Sequence, residues 1–283
     1  ILRTVRRLPD PMSRLVVHDD AAHRLGGAVP SPAAAFLLTV LALPALFWLV
    51  MLKRTTTYTL PEEWLMSNVV PRISDFVQAN IPPLDTLIIG ISALGSGWFV
   101  ALAFAALGLL ALARGRRDLA FLLACGTLCF PMEWALKYFV SPEAISLTSL
   151  VGAIFNVNNI GLDDIADFPA GHALRATVLY GLAAFCVARL AHDVRQGQVA
   201  YGVALVLIAA ISGTRIYLGA HYPMDVLGGW MAGAALLSII VAIHVLRVDE
   251  RARLREAAEM EARQARGERR VAVPRRAPPA SEG

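Results

Sequence analysis

The sequence predicts an all-α integral membrane protein: a bundle of six transmembrane helices with both termini cytoplasmic. Three observations lead there. Hydrophobic residues make up 57% and charged residues 17% of the 283 positions, against roughly 45–50% and about 25% in a typical soluble domain. Apolar stretches of membrane-crossing length recur between residues 33 and 246. Basic residues collect on alternate connections, the distribution that holds loops on the cytoplasmic side. A mean hydropathy of +0.57 agrees. The formal net charge of +4 is mild, and the arginines of the tail alternate with glutamates, as on a solvated helix. The lipid bilayer is therefore an expected partner and nucleic acid is not.

Residues 1–32 read as a cytoplasmic N-terminal segment carrying Arg3, Arg6, Arg7, Arg14 and Arg24. The first apolar run begins only near residue 33 and lacks a cleavage-like end, so no signal peptide is expected. That run, Ala33–Leu52, is the first span; about 20 residues rise roughly 30 Å as a helix, enough for a bilayer core. Residues 54–83 form an outer connection, weakly amphipathic through Trp64, Leu65, Val69, Ile73, Phe76 and Val77. It suits a cap on the bundle or an interfacial helix that guides lipid. The second span runs from about Leu84 to Ala113, entering as an interfacial piece and crossing after Gly95-Ser96-Gly97. Leu119–Val140 is the third, with Pro131 placed to kink it. His172–Leu190, Ala200–Leu218 and Asp225–Leu246 complete the set. The membrane domain is thus 33–246, and 247–283 is a charged cytoplasmic tail, helical in pattern to about Arg266 and then Arg/Pro-rich and disordered in composition.

Orientation follows from the connections. Arg114, Arg116 and Arg117 lie between spans two and three, and Arg195 lies after span four. Residues 141–171 carry no Lys or Arg but hold Glu143, Asp163, Asp164 and Asp167. Lys53, Arg54 and Arg72 alone run against the rule. The sense is that of a bacterial-type inner (plasma) membrane protein, with 141–171 on the periplasmic or exterior side. Cys125, Cys129 and Cys186 sit in apolar runs and read as small hydrophobes. They imply neither a disulfide framework nor a zinc site.

Three segments converge on that outer side: Glu133-Trp134-Ala135-Leu136-Lys137, Phe168-Pro169-Ala170-Gly171-His172, and Thr214 through Asp225. Ionisable residues at membrane helix ends mark a site by default. His221 and Asp225 are four apart, so the carboxylate can hold one imidazole nitrogen and leave the other free to attack. Arg215 offers a planar fork for phosphate oxygens, and Lys137 adds a point charge. Gly171 lets an anion approach the backbone at a helix start. His172, beside it, is placed to give a proton to a leaving oxygen. These residue types match phosphoryl transfer from a lipid phosphate to water.

The stretch Arg215-x5-His221-x3-Asp225, set in RIYLGAHYPMDVLGG, resembles the third signature of the type-2 phosphatidic acid phosphatase superfamily. PAGH at 169–172 is similar to that family's Pro-Ser-Gly-His, and Lys137 falls where its first signature starts. The resemblance covers roughly residues 84–246 and implies a membrane lipid phosphatase. His221 would form a phosphohistidine, Asp225 would orient its ring, and His172 would protonate the leaving group and then activate water. Lys137, Arg215 and the Gly171 amide would hold the phosphoryl oxygens. The scheme implies no metal and no cofactor. The substrate would be a polyprenyl or glycerophospholipid phosphate or diphosphate.

Four positions depart from the family pattern. Ala144 and Ile145 stand where Arg-Pro closes the first signature, Ala170 replaces its Ser, and Thr214 precedes Arg215 where Ser is usual. Each charge-assisted hydrogen bond lost is worth about 1.5–3 kcal/mol. A catalytically impaired lipid-phosphate binding or transport protein is therefore the rival reading, and a lipid phosphotransferase uses the same chemistry. A metal site of His172, His221 and Asp225 has suitable ligands, but Lys137 and Arg215 would repel the ion. Asn156, Asn158 and Asn159 are candidate substitute donors. His18, His23, His192 and His244 read as structural, and Tyr217, Tyr222 and Trp230 as interfacial aromatics.

Overall fold

The computed structural model describes residues 32–55, 59–140, 168–191 and 193–271. The regular elements among them are helical: α1 (Pro32–Thr55), α2 (Leu60–Trp64), a π-helical turn (Leu65–Val69), α3 (Val70–Asn80), α4 (Pro82–Ala93), α5 (Gly97–Ala113), α6 (Arg117–Gly126), α7 (Cys129–Val140), α8 (Gly171–Leu190), α9 (Val194–Tyr217) and α10 (Pro223–Val271). Each apolar segment expected from the sequence is helix. By length and hydropathy, Arg117–Val140, Gly171–Leu190, Val194–Tyr217 and Pro223–Ala262 can each cross a bilayer, and the bent pair α4–α5 makes a fifth candidate. The apolar part of α1, Leu37–Lys53, is shorter. These helices mark a multi-pass membrane protein. The N-terminal segment, the acidic and asparagine-bearing connection with Ala144 and Ile145, His18, His23, His192 and the last twelve positions of the tail lie outside the described residues.

Two of the candidate spans are broken, each for a legible reason. α4 and α5 meet at 56°, with Ser96 extended at the start of α5. The carbonyls this break frees cannot find water in a bilayer. Instead, Leu94 O accepts from Tyr180 Oη at 3.1 Å and Gly95 O from Arg175 Nε at 3.2 Å, both donors on α8. The second break separates α6 from α7 at Thr127-Leu128. A proline ring excludes the carbonyl four residues before it, and Thr127 is four before Pro131. The kink that Pro131 implies therefore falls upstream of the proline itself.

Residues 60–80 are helical, with α2, the π-helical turn and α3 following one another. Met66, Val70 and Val77 are buried while Trp64, Ile73 and Phe76 stay exposed. Thr59 and Glu62 form a capping box at the start of α2. Glu62 also reaches across the sequence, accepting from the Met224 amide at 2.8 Å. A buried carboxylate thus sits on the N-terminus of α10, where the helix dipole favours it.

The chain divides into two compact units, residues 1–242 and 243–283. In the first, α8 is the most enclosed helix; Leu174, Val178, Leu182 and Phe185 are almost fully buried. Glycines on α10 allow its close approach. A Cβ at Gly229 would lie 2.6 Å from Ala170 O, and one at Gly233 would lie 2.7 Å from Thr177 Cβ. Small residues four apart bring membrane helix backbones together in this way. In the second unit, residues 243–271 continue the helix of α10, so the part of the tail expected to end near Arg266 is helical to Val271.

Candidate active site

α9 ends in a Schellman turn that fixes the His221 segment. Gly219 takes φ +69°, its amide bonds to Ile216 O at 3.0 Å, and the Ala220 amide bonds to Arg215 O at 3.0 Å. That pairing pattern, with glycine in the left-handed position, closes a helix C-terminus. His221 then hangs in the turn between Arg215 on α9 and Pro223, which opens α10. The carboxylate of Asp225 accepts from the Tyr222 amide at 3.0 Å through Oδ2, and its backbone carbonyl accepts from Ala170 N at 2.9 Å. The second signature-like segment is thereby tied to the third. His172, next in line at the start of α8, is buried, and Arg215, Arg175, His221 and Lys137 lie within electrostatic reach of its ring.

Arg215 is 3% exposed, and its guanidinium donates to Ser92 Oγ on α4 at 3.2 Å. Lys137 pairs with Glu133 one turn back at 3.4 Å. Glu133 and Arg175 form a buried ion pair, and Arg175 Nη2 lies 3.4 Å from His172 Nδ1. The other ring nitrogen, Nε2, is buried with no hydrogen-bond partner among the described residues. A Cβ on Gly171 would collide with the Glu133 carboxyl and approach Arg175 Nη1 to 2.7 Å. Glycine at 171 therefore makes room for a carboxylate at the start of α8. Burial, followed by Arg215, Lys137, Arg175 and Lys53, holds the His221 imidazole well below the usual histidine range. A neutral imidazole among cations is a nucleophile, and the surrounding charge suits an anionic substrate.

The structure thus brings His172, His221, Arg215, Lys137, Gly171 and Asp225 to one end of the helices. It gives Asp225 a partner the sequence reading did not name: Oδ1 lies 3.0 Å from Lys53 Nζ of α1, with both side chains buried. Among the described residues no hydrogen bond joins Asp225 to the His221 ring. The hydroxyl of Thr214 bonds back to Ile211 O at 2.6 Å within α9. Of the three aromatics expected at the interface, Tyr217 donates to Asp85 at 3.0 Å and Trp230 to Ser212 at 2.8 Å.

Sequence reasoning missed Arg175 and treated Glu133 only as a partner for Lys137. The signal was present, since a charged residue three positions into an apolar run is a site indicator. Lys53 left a trace too, as one of the cations on the wrong side of the positive-inside pattern. Glu62 left none, because a surface-like PEEW run gives no hint that one carboxylate turns inward.

Residues 155–249 match the model of the PAP2 superfamily. The chain is also 34% identical over 74 residues to phosphatidylglycerophosphatase B of Bacillus subtilis (strain 168), an alignment covering 26% of this chain and 36% of that protein. The chain therefore spans about a third of the length of the relative it matches. No solved structure matches. The matched segment holds Gly171, His172, Arg215, His221 and Asp225, so the likeness to the PAP2 superfamily falls on the residues that line this site.

Proposed function

We propose that this protein is a lipid phosphatase acting through a phosphohistidine on the extracytoplasmic face of a six-span bundle. The observation that carries the reading is the convergence of two imidazoles with Arg215 and Lys137 at one end of the helices. His221 attacks phosphorus as the bond to the lipid oxygen breaks, and His172, in its protonated form, gives the Nε2 proton to that oxygen. Water then attacks the phosphohistidine and yields its proton to His172. The P–N bond breaks, His221 is restored and inorganic phosphate leaves. Arg215 and Lys137 stabilise the charge that gathers on the equatorial oxygens. No step calls on a metal ion.

The substrate is a lipid whose tails stay in the bilayer while its phosphate reaches the site. The named relative supports a glycerophospholipid monophosphate first, with polyprenyl phosphates and diphosphates as competitors. The test is phosphate release from each lipid by purified protein in detergent with EDTA, set beside His221→Ala. Loss of several orders of magnitude in the variant is expected, and equal rates in the two proteins reject the assignment. A second reading, lipid-phosphate binding without turnover, is favoured by the hydroxyl of Thr214 being spent on its own helix and by the apolar Ala170. It predicts saturable binding with no acid-trapped phosphohistidine.

A further inference from the structure

We propose that Lys53 is a further residue of the reaction site, a positioning residue for Asp225 and His221 contributed by a helix that carries none of the family signatures. The inference rests on the reading of His221 as the attacking group. α1 ends at Thr55, and its last turn brings Lys53 Nζ to 3.0 Å from Asp225 Oδ1, with side-chain exposures of 8% and 3%. The same ammonium lies 5.6 Å from the centroid of the Tyr222 ring. Since Asp225 Oδ2 is held by the Tyr222 amide, both carboxylate oxygens are committed and the side chain has one orientation. Tyr222 is the neighbour of His221, so the lysine holds the turn that directly follows the attacking group at two points.

A purely structural role fits less well. Burying an ion pair costs desolvation that its attraction barely offsets, and apolar replacements of similar volume are often neutral or stabilising. A brace alone needs no charge here. What the ammonium adds is electrostatic: it offsets the Asp225 carboxylate, which would otherwise repel an incoming phosphate. It also joins the cations that face His221, namely Arg215 from α9, Lys137 from α7 and Arg175 from α8; Asp225 of α10 is the carboxylate it neutralises. The arginine that closes the family's first signature is absent at Ala144, so a cation from α1 restores part of the positive field.

The test compares Lys53→Met, Lys53→Gln and Lys53→Arg in the full-length protein in detergent. Two readouts serve: the pH profile of kcat/KM on the lipid phosphate, and the NMR titration of His221 in histidine-labelled protein. Without the lysine charge His221 protonates more readily, so the acid limb and the titration midpoint move up by about 0.5–1 pH unit. KM should rise several-fold, and Lys53→Arg should restore both values toward wild type. An unmoved His221 titration overturns the proposal, and so does a failure of both neutral variants to fold, which would make the pair a brace. The titration needs no turnover. If the wild-type protein released no phosphate, the parent reading would fail while Lys53 could still be judged on His221.

Discussion

At the scale of single residues, the site is a balance of buried charges, and removing either sign has a defined cost. Glu133 is the carboxylate that Arg175 and Lys137 share. Glu133→Ala takes the buried carboxylate away from Arg175 and Lys137, and loss of one partner of a buried pair typically costs about 3–5 kcal/mol. Thermal unfolding in detergent should show a large drop, and a smaller one for Glu133→Gln. His221 gives a pH signature. Its folded value lies below the usual one, so its contribution to stability is complete above about pH 6.5 and is lost as pH falls toward the folded value. Melting between pH 7.5 and 5.5 should therefore decline in wild type and decline less in His221→Gln. Ala170 is the N-cap of α8 and offers no side-chain hydrogen bond. Ala170→Ser should stabilise by about 1 kcal/mol, and turnover should rise with it if the hydroxyl also meets phosphate; a lower melting point would show that the fully buried position has no room for it.

Helix contacts decide whether those charges meet. α8 and α10 approach closely because Gly229 and Gly233 carry no side chain where α8 lies. Gly229→Ala would push a methyl against the Ala170 carbonyl, and strain of about 1–3 kcal/mol is expected. Lipid phosphate hydrolysis should fall further than stability does, because the displaced carbonyl sits beside His172. Here the sequence was partly readable. Span positions and the α4–α5 break at Gly95-Ser96-Gly97 follow from hydropathy and glycine. The Schellman turn at Gly219 and the charge partners of Asp225 and Arg175 do not, because they depend on which helices touch. Residues 60–80 read as a connection because their apolar positions divide between a buried and an exposed side, which blurs the helical period.

For the whole molecule, the matched segment holds His172, Arg215, His221 and Asp225, while Lys53, Ser92, Glu133 and Lys137 come from α1, α4 and α7. Motifs expose the first group readily; the second is visible only as charges in odd places. The proposed topology of six crossings with cytoplasmic termini would put α1's end and the His221 turn outside. Cysteines introduced at exposed Asn80 and Arg114, with the native three removed, should label from opposite faces of sealed vesicles. Labelling from one face would refute that topology.

The angled junction of α4 and α5 has a mechanical meaning. Its two bare carbonyls are fastened to Tyr180 and Arg175, and Arg175 lies against His172. The elbow is accordingly clamped rather than hinged. A ligand that nudged the imidazole would drag the elbow with it, and the lever formed by α5 would carry that nudge toward the far leaflet.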